Sequence, residues 1–290
     1  MDPGLPAPAA AGGEEPARGR ADQPVWHTQP GELVLRRGVT TVGSGPPAAV
    51  LAYARSLVPV LAAEPACQVV GLYLHGSAVL GGFVQSGSDV DVLGVLAGPL
   101  DRLAQERIGG ALAAAAQPTP GTGLEFSLIT AATAAELGDC RYEVHVATGA
   151  DPKVLAGADR PGDPDLILHA EVCRRHGYPV HGPAPGLVFA PVPRRRLLEA
   201  VHQEVDGGLG HGSLAYAVLN ACRAERFTMT GELVSKVAAG EWALAHFPDQ
   251  PAIALALHQQ RTGAQVRPVT PDAARFVTGV RDRLAALLAD

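Results

Sequence analysis

Gly71-Leu72-Tyr73-Leu74-His75-Gly76-Ser77, followed by Ser88-Asp89-Val90-Asp91-Val92-Leu93, is the stretch on which the fold turns. An apolar run ends in Gly-Ser. A short insert, residues 78–87, leads to two aspartates that straddle one apolar residue and open a second apolar run. Alternate residues of a strand point to one face, so Asp89 and Asp91 project side by side. Two carboxylates so close need a compensating cation to stay ionised together. Hard oxygen ligands at this spacing suit Mg2+, which also takes substrate phosphates as ligands. The Gly76-Ser77 turn offers backbone N–H groups and a hydroxyl to a phosphate. Val90, Val92 and Leu93 bury the strand that presents the acids, and nothing structural calls for two acids at its entry. The combination points to the movement of a nucleotide.

The 290 residues, 47% of them hydrophobic, suffice for one large domain or two ordinary ones. A net charge of −6 leaves no electrostatic footprint for nucleic acid. This argues against a polymerase or RNA-tailing enzyme and for a small-molecule acceptor. Cys67, Cys140, Cys173 and Cys222 have neither Cys-X-X-Cys nor zinc spacing and read as reduced core residues of a cytoplasmic protein. No apolar stretch is long enough to span a membrane. The N-terminal residues, rich in Pro, Ala, Gly and charge, read as a disordered tail. Lys153 and Lys236 are the only lysines among 23 Lys and Arg residues. Where arginine is used so readily, a lysine can mark a need for a compact ammonium. Lys153 reads as a solvated surface residue, and Lys236 as the candidate.

Residues 46–64 carry Leu51, Ala54, Val58 and Leu61 at helical spacing. Strands are expected over 68–74, 89–96 and 123–130, and a helix over 100–116. In the third strand Glu125 lies on the face opposite Leu124 and Phe126. After Arg141 the pattern is helical over 165–176, 194–204, 213–227, 232–246, 251–261 and 271–289, with Pro and Gly clusters separating several of these. The expected class is α+β: a tail over 1–30, a domain of mixed sheet and helices over 31–160, and a helical bundle over 161–290. The cleft between the two domains is the expected site. The glycines of 207–212 follow no strand, so they form no dinucleotide fingerprint, and no Gly-Lys-Ser/Thr occurs. Without a Gly-X-Ser-X-Gly elbow, neither Glu143-Val144-His145 nor His211-Gly212-Ser213 makes a hydrolase. His169 and His176 read as core or surface histidines.

Strand, His75-Gly76-Ser77-Ala78, Gly81-Gly82 and Ser88-Asp89-Val90-Asp91 resemble the nucleotidyltransferase superfamily that includes DNA polymerase β. Further segments narrow the likeness: Leu124-Glu125-Phe126-Ser127, Asp165-Leu166, Val180-His181-Gly182-Pro183, Pro191-Val192-Pro193, Leu219-Asn220-Ala221-Cys222-Arg223, Ser235-Lys236 and Glu241-Trp242-Ala243. With these the chain resembles the aminoglycoside nucleotidyltransferases that adenylylate streptomycin or spectinomycin. The resemblance implies a polymerase-β-like domain followed by a helical bundle. It implies transfer of AMP from ATP to an antibiotic hydroxyl, release of pyrophosphate, and resistance. It implies two Mg2+ ions on Asp89 and Asp91, with Glu125 as general base beside the substrate. Gly76, Ser77, Ser88, Asp165, Arg223 and Lys236 are then the nucleotide-binding residues, and Glu143 and Asp206 the further acids for the substrate. The expected partners are the antibiotic and ATP, with no nucleic acid and no membrane, and the expected state is a monomer. Two positions depart from the family. Residues 205–212 lack the Trp of streptomycin-accepting members, and Gln260 lies near the expected position of a late Tyr. The missing Trp favours spectinomycin-type or altered specificity. Two alternatives stay open: the same chemistry on another small molecule or macromolecule, and a non-catalytic nucleotide-binding regulator, which the three carboxylates disfavour.

Overall fold

Val69, Val70, Leu72 and Leu74 extend the chain because β-branched and aliphatic side chains fit a pleated, buried surface. They form β1 (Val69–Leu74), which pairs antiparallel with β2 (Val90–Leu96) through Tyr73–Leu93 and Leu74–Val92. The structure, a computed structural model, describes residues 45–264 and 267–289. The tail expected over 1–30 lies outside them. Ahead of β1 runs α1 (Ala48–Ala62). After β2, α2 (Arg102–Ala115) is started by Asp101, whose carboxylate accepts from Ala104 N–H at 2.7 Å. This crossover lets β3 (Leu124–Thr130) lie parallel to β2. A short α3 (Ala131–Ala135) follows.

Beyond Arg141 the chain adds β4 (Val144–Ala147) and β5 (Lys153–Ala156) to one side of the sheet. After α4 (Leu166–His176) it adds β6 (Tyr178–His181) to the other side, against β1. The mixed sheet runs β5-β4-β3-β2-β1-β6. These three strands correct the all-helical reading after Arg141. The sheet does not end at residue 160, because β6 returns to it from beyond. Each is only four residues long, too short for a readable period, and Pro179 in β6 is tolerated because the strand is an edge.

Strand alternation divides the sheet between two cores. Leu72, Val92, Phe126 and Val144 face α1 and α2 with Leu57, Leu61 and Leu112. Tyr73, Leu93, Val95 and Ile129 face α4 and the helical half. That half comprises α5 (Arg194–Gly210), α6 (Leu214–Thr230), α7 (Lys236–His246), α8 (Pro251–Thr262) and α9 (Pro271–Ala289). α6 is its centre and packs on the other four helices. α5 runs six residues past the expected end at Glu204, through glycines that read as a break. At Gly208 an added Cβ would approach Ala217 Cα to 3.4 Å, so glycine lets α5 lie close on α6.

Glu171 ties α4 to the segment before α5 and, through Arg175, to the end of α6. Its buried carboxylate accepts from Arg174 Nε and Nη2 at 2.8 and 2.7 Å, from Arg175 Nε at 2.5 Å and from Val192 N–H at 3.2 Å. Arg175 also donates to Gly231 O at 2.8 Å. Burial pushes the carboxyl up, but the two guanidiniums outweigh it and hold it below its ordinary value. Removing one partner of a buried ion pair strands the others. Glu171→Ala is therefore expected to cost about 3–5 kcal/mol in urea unfolding. A loss under about 1 kcal/mol would show that the network holds nothing together.

Candidate active site

The β2–β3 register sets Asp91 beside Glu125, and the same row continues through Ala147 to Lys153. On its other side His75 N–H donates to Asp91 O at 3.1 Å. By alternation these side chains leave the sheet on the face of Leu93, under the helices. Asp89 stands at the entry to β2, and its Oδ1 accepts from Thr122 Oγ1 at 2.7 Å. Gly76 takes φ +59°, and a Cβ there would sit 2.0 Å from Asp91 Oδ2. Only glycine lets the turn pass so close, bringing Ser77 N–H to 3.4 Å from the same oxygen. Ser77 Oγ is buried and has no hydrogen-bond partner among the described residues.

The helices supply the opposite charge. Ser235 caps α7, its Oγ accepting from Ala238 N–H at 3.2 Å. Lys236 follows, its Nζ 4.5 Å from the Tyr216 ring centroid, a cation–π contact. Burial, and then the Arg223 charge, push its ammonium below the ordinary lysine value. Arg223 Nη1 donates to Glu204 Oε1 at 3.1 Å and to Asn220 Oδ1 at 3.3 Å. Asp165 begins α4 without making a cap bond, and burial raises its carboxyl. Gly76, Ser77, Ser88, Asp89, Asp91, Glu125, Asp165, Arg223 and Lys236 line one cleft of about 480 Å³. A chamber of about 470 Å³ adjoins it, lined in part by His75, His169, Gln203 and Glu204.

Three expected residues have other duties. Ser88 lines the cleft, but its Oγ accepts from Val84 N–H at 3.0 Å and fixes the insert. Glu143 lies outside the cleft. It precedes β4 where α2 begins, and its buried carboxylate accepts from Leu100 N–H at 2.8 Å and Gln105 Nε2 at 2.9 Å. Asp206 is turned away: it is exposed and pairs with Arg281 Nη1 at 3.4 Å. On a continuous helix, positions two apart differ by about 200°, so Glu204, unread in the sequence, faces the chamber instead. His169 also enters both cavities, its ring 4.8 Å from His75. The signal for it is the spacing of four from Asp165, which puts both on one helix face. Lys153 lines the cleft, on a strand the sequence does not reveal. Gln260 lines it as well, where a Tyr was expected.

Burial pushes the Asp91 carboxyl up to about 6, with His169 opposing and Asp89 reinforcing. Burial pushes Glu125 up to about 7, opposed by His169 and Lys153 and reinforced by Asp91 and Asp89. Among the described residues no three His, Cys, Asp or Glu side chains form a closed metal cage. The aspartate pair and the orphaned Ser77 hydroxyl nevertheless fit Mg2+, which is held by one or two carboxylates together with phosphates and water. A raised carboxyl means that the folded protein binds its proton more tightly than the unfolded chain. Stability is then lost as pH rises from about 4 through the folded value near 6. Asp91→Asn in metal-free protein is expected to gain on the order of 2 kcal/mol at pH 8, shrinking between pH 6 and pH 4. Equal melting temperatures for the variant and the parent at pH 8 would rule out this cost of burying the charge.

Residues 187–283 match the family model described as aminoglycoside adenylyltransferase, C-terminal domain. The chain is 27% identical over 229 residues to aminoglycoside (3'') (9) adenylyltransferase of Klebsiella pneumoniae, covering 75% of this chain and 81% of that one. It is 27% identical over 201 residues to spectinomycin 9-adenylyltransferase of Staphylococcus aureus, covering 63% and 73%. Its fold matches that of spectinomycin adenyltransferase AAD(9) from Enterococcus faecialis, solved with ATP and spectinomycin. The TM-score is 0.62 at 16% identity, over 81% of this chain and 98% of that one. Over three quarters of its length the chain is similar in sequence to an aminoglycoside adenylyltransferase, and over 81% of its length it shares the fold of a spectinomycin adenyltransferase.

Proposed function

We propose that the chain transfers AMP from ATP to a hydroxyl of an aminoglycoside or aminocyclitol antibiotic, releasing pyrophosphate and conferring resistance. The observation that carries this reading is the opposition, across one cleft, of Asp89, Asp91 and Glu125 on the sheet to Lys236 and Arg223 on the helices. The triphosphate lies over Gly76-Ser77, where a backbone N–H and the orphaned Ser77 hydroxyl receive phosphate oxygens. Asp89 and Asp91 hold Mg2+, which when bound neutralises phosphate charge. Lys236 and Arg223 neutralise the charge that develops on the leaving pyrophosphate. Lys236 opens α7, whose N-terminal dipole adds to its own charge.

Glu125 takes the proton of the acceptor hydroxyl. Its raised value near 7 suits a base working close to neutrality. The new bond forms between that oxygen and the α-phosphorus as the bond to pyrophosphate breaks in line. Asp165 and Glu204 face the adjoining chamber and attract the ammonium groups of a cationic acceptor. The absent Trp favours a spectinomycin-type acceptor or an altered specificity over streptomycin.

Pyrophosphate release with ATP and Mg2+ is expected with at least one member of a panel of spectinomycin, streptomycin and other aminoglycosides. Glu125→Gln is expected to lower kcat about 10²- to 10⁴-fold, with ATP affinity kept within about twofold by calorimetry. Turnover by Glu125→Gln at the parent rate would remove Glu125 from the chemistry. Tight ATP binding without release across the panel would shift the acceptor to another class.

A further inference from the structure

One strand over from Glu125 lies a histidine with no part in the transfer as drawn so far. The β3–β4 register pairs Glu125 with Ala147 and Ser127 with His145. Both Ser127 and His145 are buried, at 5% exposure each. His145 Nδ1 lies 3.1 Å from Ser127 Oγ. Its Nε2 lies 3.3 Å from Glu125 Oε1, close enough for an ion pair but not yet aligned as a hydrogen bond. No other partner for Nε2 is found among the described residues. The Tyr142 ring packs edge-on against the imidazole, centroids 6.2 Å apart.

The chemistry of the ring follows from its surroundings. Burial, and then the Lys153 charge, push His145 below its ordinary value, so the ring is neutral and carries one N–H. With that N–H on Nε2, toward Glu125, the Ser127 hydroxyl is the donor to Nδ1 and both ring nitrogens face a partner. A buried ring nitrogen aimed at a carboxylate is costly unless the bond forms, and an apolar ring would fill this space without that cost. Poor alignment in a structure without substrate is ordinary for such contacts, which tighten when the reactants are bound.

We propose that His145, anchored by Ser127, is a positioning residue for Glu125: its Nε2–H fixes Oε1 and leaves Oε2 to take the acceptor proton. The inference rests on Glu125 being the proton acceptor. A carboxylate on a flexible stem samples many orientations, and a misplacement of about 1 Å can cost on the order of 10²-fold in rate. Three side chains converge here, since β3 brings Glu125 and Ser127 and β4 brings His145 in register.

His145→Phe is expected to lower kcat about 10- to 100-fold, with KM for ATP and acceptor within about twofold and the melting temperature retained. His145→Gln, which restores an N–H donor, should recover most of the loss. Ser127→Ala should lose part of the rate alone and nothing further when added to His145→Phe. On a Glu125→Gln background, His145→Phe should have no effect. Nitrogen NMR of labelled protein should find Nε2 protonated and Nδ1 bare. The proposal is overturned by parent-like kcat in His145→Phe, by equal losses in the Phe and Gln variants that track melting temperature, or by the opposite tautomer. If His145→Phe does not fold, His145→Gln, Ser127→Ala and the tautomer decide the matter in its place. Parent-like turnover by Glu125→Gln would instead defeat the base assignment itself, a result distinct from any of these.

Discussion

Two carboxylates, Asp91 and Glu125, leave adjacent parallel strands at the same level and on the same buried face. Burial resists the ionisation of both and raises both values, with the Asp89 charge adding to it at Asp91 and the Asp91 charge at Glu125. A sheet face carrying them cannot be sealed by an apolar layer. The opposite face, with Leu72, Val92 and Phe126, is sealed that way by α1 and α2. The acid face needs cations and open volume, and the helical half provides them in Arg223 and Lys236 around a cleft. Gly76 belongs to the same constraint, since any side chain there would collide with Asp91.

That constraint also explains the unequal legibility of the chain. The strands β1 to β3, Asp89, Asp91 and Glu125 are readable because long alternating runs present acids where a core would want none. The helices α4 to α9 are readable from their period and breakers. Strands β4, β5 and β6 are not, because four residues in each hold no period. With β4 and β5 hidden, Lys153 cannot be assigned to the row of Glu125, nor His145 to that of Ser127. Glu143 reads as a cleft acid instead, although its carboxylate serves the start of α2. At α5 local propensity misleads. The glycines read as a loop, tertiary packing on α6 keeps them helical, and the acid facing the chamber moves from position 206 to 204.

Both lysines of the chain line the one cleft, a convergence that composition alone could not foretell for Lys153. Lys236 faces the aspartates from the helix side, its ammonium lowered by burial and so favoured to meet an anion. Lys153 ends the sheet row and opposes the rise of Glu125. A compact ammonium neutralises a neighbour without the planar fork that would tie up two carboxylate oxygens at once. Among the described residues arginine, abundant elsewhere, enters the cleft only through Arg223, and there it is already engaged by Glu204 and Asn220.

The wall of the adjoining chamber sets what the site can accept. Through residues 205–210, where the resemblance implies a Trp in streptomycin-accepting members, α5 continues to Gly210 and the chain turns at once into α6. The stacked His211 and Tyr216 rings, 4.0 Å apart, stand at that turn. They are joined in the chamber by Glu204 and Asp165. A helix face holds its side chains more rigidly than a loop does. The chamber thus presents a fixed acid pair and an aromatic shelf. The cleft beside it sets Asp89, Asp91 and Glu125 against Arg223 and Lys236. On the function proposed above, the α5–α6 boundary shapes the acceptor side and can shift without disturbing the acids that the sheet holds.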